Sequence, residues 1–255
     1  MKNSQCVEQV YKFAETVVRI DTIHNAVASL CRDYRVFSME VDFDINTSQA
    51  DIDFERERSA YKRESEENPI RQPSDAYLET LAVYRKIAER MPEHDTVLFH
   101  GSCVAVDGVG YLFTAISGTG KSTHTRLWRE LLGERAIMVN DDKPLLHVTD
   151  GGVMVYGTPW DGKHRLSTNI AVPLKAICIL ERAKENTIRP ITVQEAYPML
   201  LQQTYRPANV TAMDKTLTLI DKLAAAVSLW RLNCNMDIEA AQIADGFMKG
   251  YEHEA

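Results

Sequence analysis

Seven consecutive residues carry the clearest chemistry in this chain: Ser117, Gly118, Thr119, Gly120, Lys121, Ser122 and Thr123. Gly118 and Gly120 have no Cβ, so backbone N–H groups there can approach an anion closely. Lys121 supplies a cation that reaches the β/γ-phosphates of a polyphosphate, and the Ser122 hydroxyl is placed to hold Mg²⁺. Ala115 stands where the general pattern of such loops has a further glycine. A second group follows about 20 residues on, in Asn140-Asp141-Asp142-Lys143. Adjacent carboxylates on an extended chain point to opposite sides. One can therefore organise Mg²⁺ while the other handles a proton. His100, which precedes Gly101, is either a satisfied core histidine or a partner that tunes one of these carboxylates. Lys163, Arg165 and Arg206 are either surface cations or groups that grip an anionic acceptor. His124 and Trp128 read as packing residues, with stacking on a nucleotide as the alternative.

Such residues act only if the elements around them put them together. Tyr111–Thr114 is a short apolar strand, and Leu127, Leu131 and Leu132 follow the glycines at helical spacing, with Gly133 as the stop. The phosphate loop thus sits where a strand hands over to a helix N-terminus, whose partial positive charge and unpaired N–H groups suit an anion. Thr96–Val106 reads as a strand joined to Tyr111–Thr114 by a turn at 107–110. A connection that short demands antiparallel pairing. Ala136–Val139 is a buried strand that ends at the acid pair. Leu145–Val148 and Val153–Tyr156 flank the hairpin signal Asp150-Gly151-Gly152. Gly157–Asn169 is a polar loop, and Leu174–Leu180 is another apolar strand. Helices are expected over Val193–Gln203, Val210–Leu232 and Ile238–Lys249, which gives a helical C-terminus.

Residues 1–95 read as a separate α+β subdomain, with strands at Thr16–Ile20 and Val36–Ile45, a short helix over Asn25–Tyr34 and a good helix over Ser74–Met91. Asp53–Gln72 is highly charged and reads as a solvated helix or loop. Residues 96–255 form the expected nucleotide-binding domain.

The formal net charge of −7 argues against a broad nucleic-acid footprint. No apolar run approaches a membrane span, and no leader segment is evident. The five cysteines show no C-x-x-C spacing, so the expectation is a cytoplasmic protein with reduced thiols and no zinc framework.

The order His100-Gly101, then Ser117–Ser122, then Asp141-Asp142 resembles the catalytic domain of HPr kinase/phosphorylase. It is also similar to the nucleotide-binding half of ATP-dependent phosphoenolpyruvate carboxykinase. The likeness covers about Thr96–Glu181, and Gly157–His164 looks like a bacterial subgroup described as HPr-kinase-like. The resemblance implies an α/β fold of the α+β kind, with a mixed-sheet P-loop core. It implies ATP and Mg²⁺ as nucleotide and metal, with phosphoryl transfer to a hydroxyl on a small molecule, peptide or protein. Carried onto this chain, Lys121 contacts the phosphates, Ser122 and Asp141 serve the metal, and Asp142 beside His100 is the base. A homo-oligomer is also implied. A non-catalytic nucleotide sensor and a carboxykinase-like enzyme are the alternative functions.

Overall fold

A computed structural model describes residues 9–64, 73–162 and 164–250. The chain divides into two compact units, Met1–Arg90 and Met91–Ala255. In the first, β1 (Gln9–Phe13) pairs antiparallel with β2 (Thr16–Asp21). Helix α1 (Ala26–Leu30) follows, and β3 (Phe43–Asn46) pairs parallel with β2. Helices α2 (Gln49–Glu64) and α3 (Asp75–Arg90) complete the unit. A carboxylate fastens α3 to the sheet connections. Fully buried Glu79 accepts hydrogen bonds from the backbone N–H groups of Ile23 (2.7 Å) and His24 (2.8 Å) and from the Thr47 hydroxyl (2.5 Å). The strand expected over Val36–Ile45 is confined to β3. Upstream of it, the Ser38 hydroxyl donates to the Glu40 carbonyl at 2.7 Å, a local turn that competes with strand pairing.

In the second unit, β4 (Thr96–Leu98) and β5 (Ser102–Val106) replace the single expected strand. The break falls at His100-Gly101. A Cβ on Gly101 would lie 2.9 Å from a Leu112 methyl and 3.1 Å from the Phe113 carbonyl, so any larger residue there would push on β6 (Val109–Thr114). The β5–β6 turn is Asp107-Gly108, both with positive φ (53° and 83°), the backbone a tight hairpin uses. Helix α4 (Lys121–Leu132) stops at Gly133 as expected, with φ 58°. Then come β7 (Ala136–Asn140), β8 (Leu145–Thr149), β9 (Gly152–Tyr156), β10 (Ala171–Arg182), β11 (Thr187–Pro190), α5 (Val193–Gln203) and α6 (Val210–Ala226). The chain closes with β12 (Ser228–Cys234) and α7 (Ile238–Gly250).

The sheet is mixed. Along its main path the order is β4-β8-β9-β10-β6-β5-β7, with β12 also on β10 and β11 on β12. β10 bridges two ladders. Its start pairs antiparallel with β9; from Leu174 it pairs parallel with β6, with a register shift between Leu174 and Ala176, and from Ala176 also with β12. Alternation along β6 and β10 sends Tyr111, Phe113, Cys178 and Leu180 to one face, against Leu127 and Trp128 of α4 and Ala244 and Met248 of α7. Leu112, Ile177 and Ile179 go to the other, against α5 and α6. With both faces covered, the strands read as nearly continuous apolar runs.

The expected helix Val210–Leu232 is corrected, and a strand interrupts the expected C-terminal helices. The helix ends at Ala226, and Ser228–Cys234 is a strand in register with Ala176–Arg182. The edge of β10 offers a full row of backbone partners, and pairing with it outweighs the helical spacing of a short apolar run.

Candidate active site

The glycine-rich loop leaves the end of β6 and turns into α4. Gly118 (φ 80°) and Gly120 (φ 125°) adopt backbone that L side chains avoid. Among the described residues, nothing lies within 4 Å of where a Cβ of Gly118 would stand. The first helical bond of α4 runs from the His124 N–H to the Gly120 carbonyl (2.9 Å), which leaves the N–H groups of Lys121, Ser122 and Thr123 without intrahelical acceptors. Helices α5 and α6 have Thr192 and Asn209 as side-chain caps, whereas Gly120 gives α4 none. Thr119 does not point its amide outward. Its N–H donates to the Ile116 carbonyl at 3.2 Å and closes a turn inside the loop.

Lys121 is buried, and its Nζ donates to the Ala115 carbonyl at 3.3 Å. Burial lowers its pKa. The charge of Asp142 opposes this, Lys143 reinforces it and Asp141 opposes it, with a net lowering. Ser122 is exposed at the helix start, and Ser117 is exposed in the loop.

The acid pair follows β7. Asp141 is 5% exposed and accepts from the Ser102 hydroxyl at 2.7 Å; that hydroxyl lies 2.9 Å from Thr125 Oγ1 on α4. With the Ser102 proton on Asp141, Thr125 is the donor when the two hydroxyls bond, and its alternative acceptors are the Lys121 and Ser122 carbonyls, each at 3.3 Å. A two-hydroxyl chain thus ties α4 to Asp141. Asp142 receives His100 Nε2 at 3.2 Å and lies 3.2 Å from Lys143 Nζ. Burial raises the Asp142 pKa, but the hydrogen bond from His100 and the charge of Lys143 outweigh it and hold the carboxyl below its ordinary value. Behind both acids sits Asn140, fully buried. Its carbonyl oxygen accepts from the N–H groups of Asp142 (2.8 Å) and Lys143 (2.5 Å). Its amide donates to Thr158 and Ser167 of the following loop, each at 3.1 Å.

That loop arches over Asp141. A Cβ on Gly162 would stand 2.9 Å from Asp141 Oδ2. Arg165 is exposed with φ 48°, and its N–H donates to the Gly162 carbonyl at 3.2 Å. Lys163 lies outside the described residues. The Arg206 side chain turns back on α5, donating to the Leu201 (3.1 Å) and Gln202 (3.3 Å) carbonyls as a helix C-terminal cation does. The backbone beside it reaches the site, since the His100 N–H donates to the Gln203 carbonyl at 2.7 Å. His124 and Trp128 are packing residues. The Trp128 indole N–H donates to His124 Nε2 at 3.0 Å, and the His124 ring meets Phe113 edge-on.

Residues 70–236 match the family model described as "ScmC: SynChlorMet cassette protein ScmC". The chain belongs to the ScmC family. The matched span holds every site residue named above, from His100 to Arg206, so this ScmC-family chain carries its candidate site within the family region. No curated protein matches it. Among solved structures, the "Hpr(Ser) kinase/phosphatase from Coxiella burnetii" is similar at a TM-score of 0.33 and 9% identity, over 60% of this chain and 97% of that one. At that level the chemistry rests on the site's own geometry.

Sequence reading assigned no role to Ser102, Thr125, Asn140, Lys143, Gly162 or Arg182. Asn140 carried a signal, being a polar residue ending a buried strand just before two acids. Arg182 carried only its place two residues beyond an apolar run, and its guanidinium donates to the Gly118 carbonyl and, at 3.2 Å, to the Thr119 carbonyl. Among the described residues no group of three or more His, Cys, Asp or Glu side chains could hold a metal by itself. Ser122 and Asp141 supply one hydroxyl and one carboxylate, the hard oxygen donors that suit Mg²⁺, an ion that keeps waters and draws further ligands from phosphates.

Proposed function

We propose that this ScmC-family chain is a phosphotransferase that takes a phosphoryl group from Mg²⁺-bound ATP and delivers it to a hydroxyl on a small molecule, peptide or protein. The observation that carries the reading is the convergence of Lys121, at an uncapped helix N-terminus behind two positive-φ glycines, with an acid pair that Ser102 and Thr125 tie to the same helix. The N–H groups at the start of α4 and the Lys121 ammonium would bind the phosphate oxygens, and Ser122 and Asp141 would hold the metal. Bound there, Mg²⁺ neutralises phosphate charge. Asp142 would accept the proton of the acceptor hydroxyl as that oxygen bonds to the phosphorus and the nucleoside diphosphate leaves. His100 holds Asp142 in place, and Asn140 fixes the backbone beneath it. Catalysis of this kind is mostly positioning and charge neutralisation.

One observation favours a second reading, a nucleotide-binding module without turnover: Asp142 is already paired with His100 and Lys143. The two readings separate in one experiment, which follows ADP release from ATP in the presence of cell-extract acceptors, with nucleotide affinity measured in parallel. Lys121→Ala should weaken affinity or turnover by at least about tenfold, because it removes the main cation on the phosphates. Asp142→Asn should bind ATP normally and lose about 100-fold or more in turnover, as removal of a general base does. Wild-type binding with no turnover against any acceptor favours the module, and no nucleotide binding at all refutes both.

A further inference from the structure

We propose that Arg182 is a positioning residue of the phosphate loop, its guanidinium holding the Gly118 and Thr119 carbonyls so that the Gly120 amide faces an incoming triphosphate. The inference rests on the nucleotide-binding reading above and extends it to a residue outside the loop and the acid pair.

Topology brings Arg182 there. β6 and β10 are parallel, with Thr114 opposite Ile179, so the three residues beyond Ile179 run alongside the start of the loop beyond Thr114. Alternation along β10 sends Arg182 to the same face as Cys178 and Leu180, the face that α4 covers. From there Nε donates to the Thr119 carbonyl at 3.2 Å and an Nη to the Gly118 carbonyl. A guanidinium presents these two donors along one rigid edge, matched to two acceptors side by side.

The consequence follows from peptide planarity. In a trans peptide the C=O of one residue and the N–H of the next point in opposite directions. The Gly118–Thr119 peptide is held at both ends, its carbonyl by Arg182 and its N–H by the Ile116 carbonyl. The Thr119–Gly120 peptide is held by its carbonyl, so its N–H, that of Gly120, must face away from Arg182. The loop can take this shape because Gly118 and Gly120 accept φ of 80° and 125°. Arg182 thereby pre-orients one donor of the cradle before nucleotide arrives and lowers the ordering cost of binding.

The test uses the full chain, a fluorescent ATP analogue with Mg²⁺, and the variants Arg182→Ala and Arg182→Lys. Arg182→Ala should bind about tenfold more weakly, the effect of losing charge-assisted hydrogen bonds that hold one donor in place. Arg182→Lys should stay within about threefold of the alanine variant, because an ammonium lacks the two-pronged edge. Methylguanidinium should restore part of the affinity of Arg182→Ala and leave wild type unchanged. In the nucleotide-free chain, Arg182→Ala should speed amide exchange at Thr119 and Gly120, with α4 beyond His124 unaffected. Wild-type affinity and exchange in both variants overturn the inference and leave nucleotide binding standing. A loss that follows a lowered melting temperature and ignores methylguanidinium also overturns it. Failure of wild type to bind the analogue removes both readings.

Discussion

Gly162 lies against the carboxylate of Asp141 and has no side chain to push it away. A Cβ there would be 2.9 Å from Oδ2 and 3.3 Å from Cγ, and only 3.4 Å from the nearest backbone atom, the Asp141 carbonyl oxygen. The atom that must yield is therefore the mobile end of the acid, so the strain falls on the proposed metal site and little of it on the fold. Gly162→Ala should lower turnover by about 10- to 100-fold, the scale on which small misplacements act. Its melting temperature should stay within a few degrees of wild type, and steady-state kinetics beside a thermal melt check both. Gly157 differs in kind. Its absent Cβ would fall 1.9 Å from the Thr168 carbonyl and 2.7 Å from that of Val139, both backbone atoms, so this glycine serves the fold.

Helix α4 carries the loop on one end and the core on its face. His124 joins the two roles: it is 2% exposed, accepts from Trp128 and packs on Phe113. Burial lowers its pKa from 6.5 to about 4. The unfolded chain therefore binds a proton between these values that the folded chain refuses. The resulting contribution to stability is complete above pH 6.5 and is lost as pH falls toward 4, with a slope of up to about 1.4 kcal/mol per pH unit. In His124→Gln that slope should vanish from this residue. Urea midpoints between pH 4 and 7 should then fall less steeply with acid than in wild type. An identical pH dependence in the two proteins would mean that His124 is solvated in the folded state. Strand β10 makes the complementary contribution at the level of elements. By pairing parallel with β6, it sets its own end beside the loop, where Arg182 acts.

The two units call for a test of independence. Among the described residues, two apolar clusters draw their buried members from Met91–Ala255 alone, between Val97 and Met248. All the residues given a role in phosphate binding also lie within it. Residues 91–255 expressed alone should therefore melt cooperatively and bind Mg²⁺–ATP within about threefold of the full chain, since a compact core of this size can fold by itself. A calorimetric melt and a titration check this. A broad, non-cooperative transition would mean that the first unit is needed for folding.

The loop, the strand–turn–strand before it, the helix start at Lys121 and its stop at Gly133 were legible in the sequence, because each depends on local chemistry. Glycine tolerates positive φ, a short turn enforces antiparallel pairing, and apolar spacing marks a helix. Partnerships between distant residues were not legible. Ser102 reaches Asp141 across 39 positions, and Arg182 reaches Gly118 across 64. Ser228–Cys234 reads by its spacing as the end of a helix and becomes a strand only because the edge of β10 supplies its backbone partners. Local stereochemistry is written residue by residue, whereas which backbone edges and which charges meet is settled only when the sheet assembles and excludes water from between them.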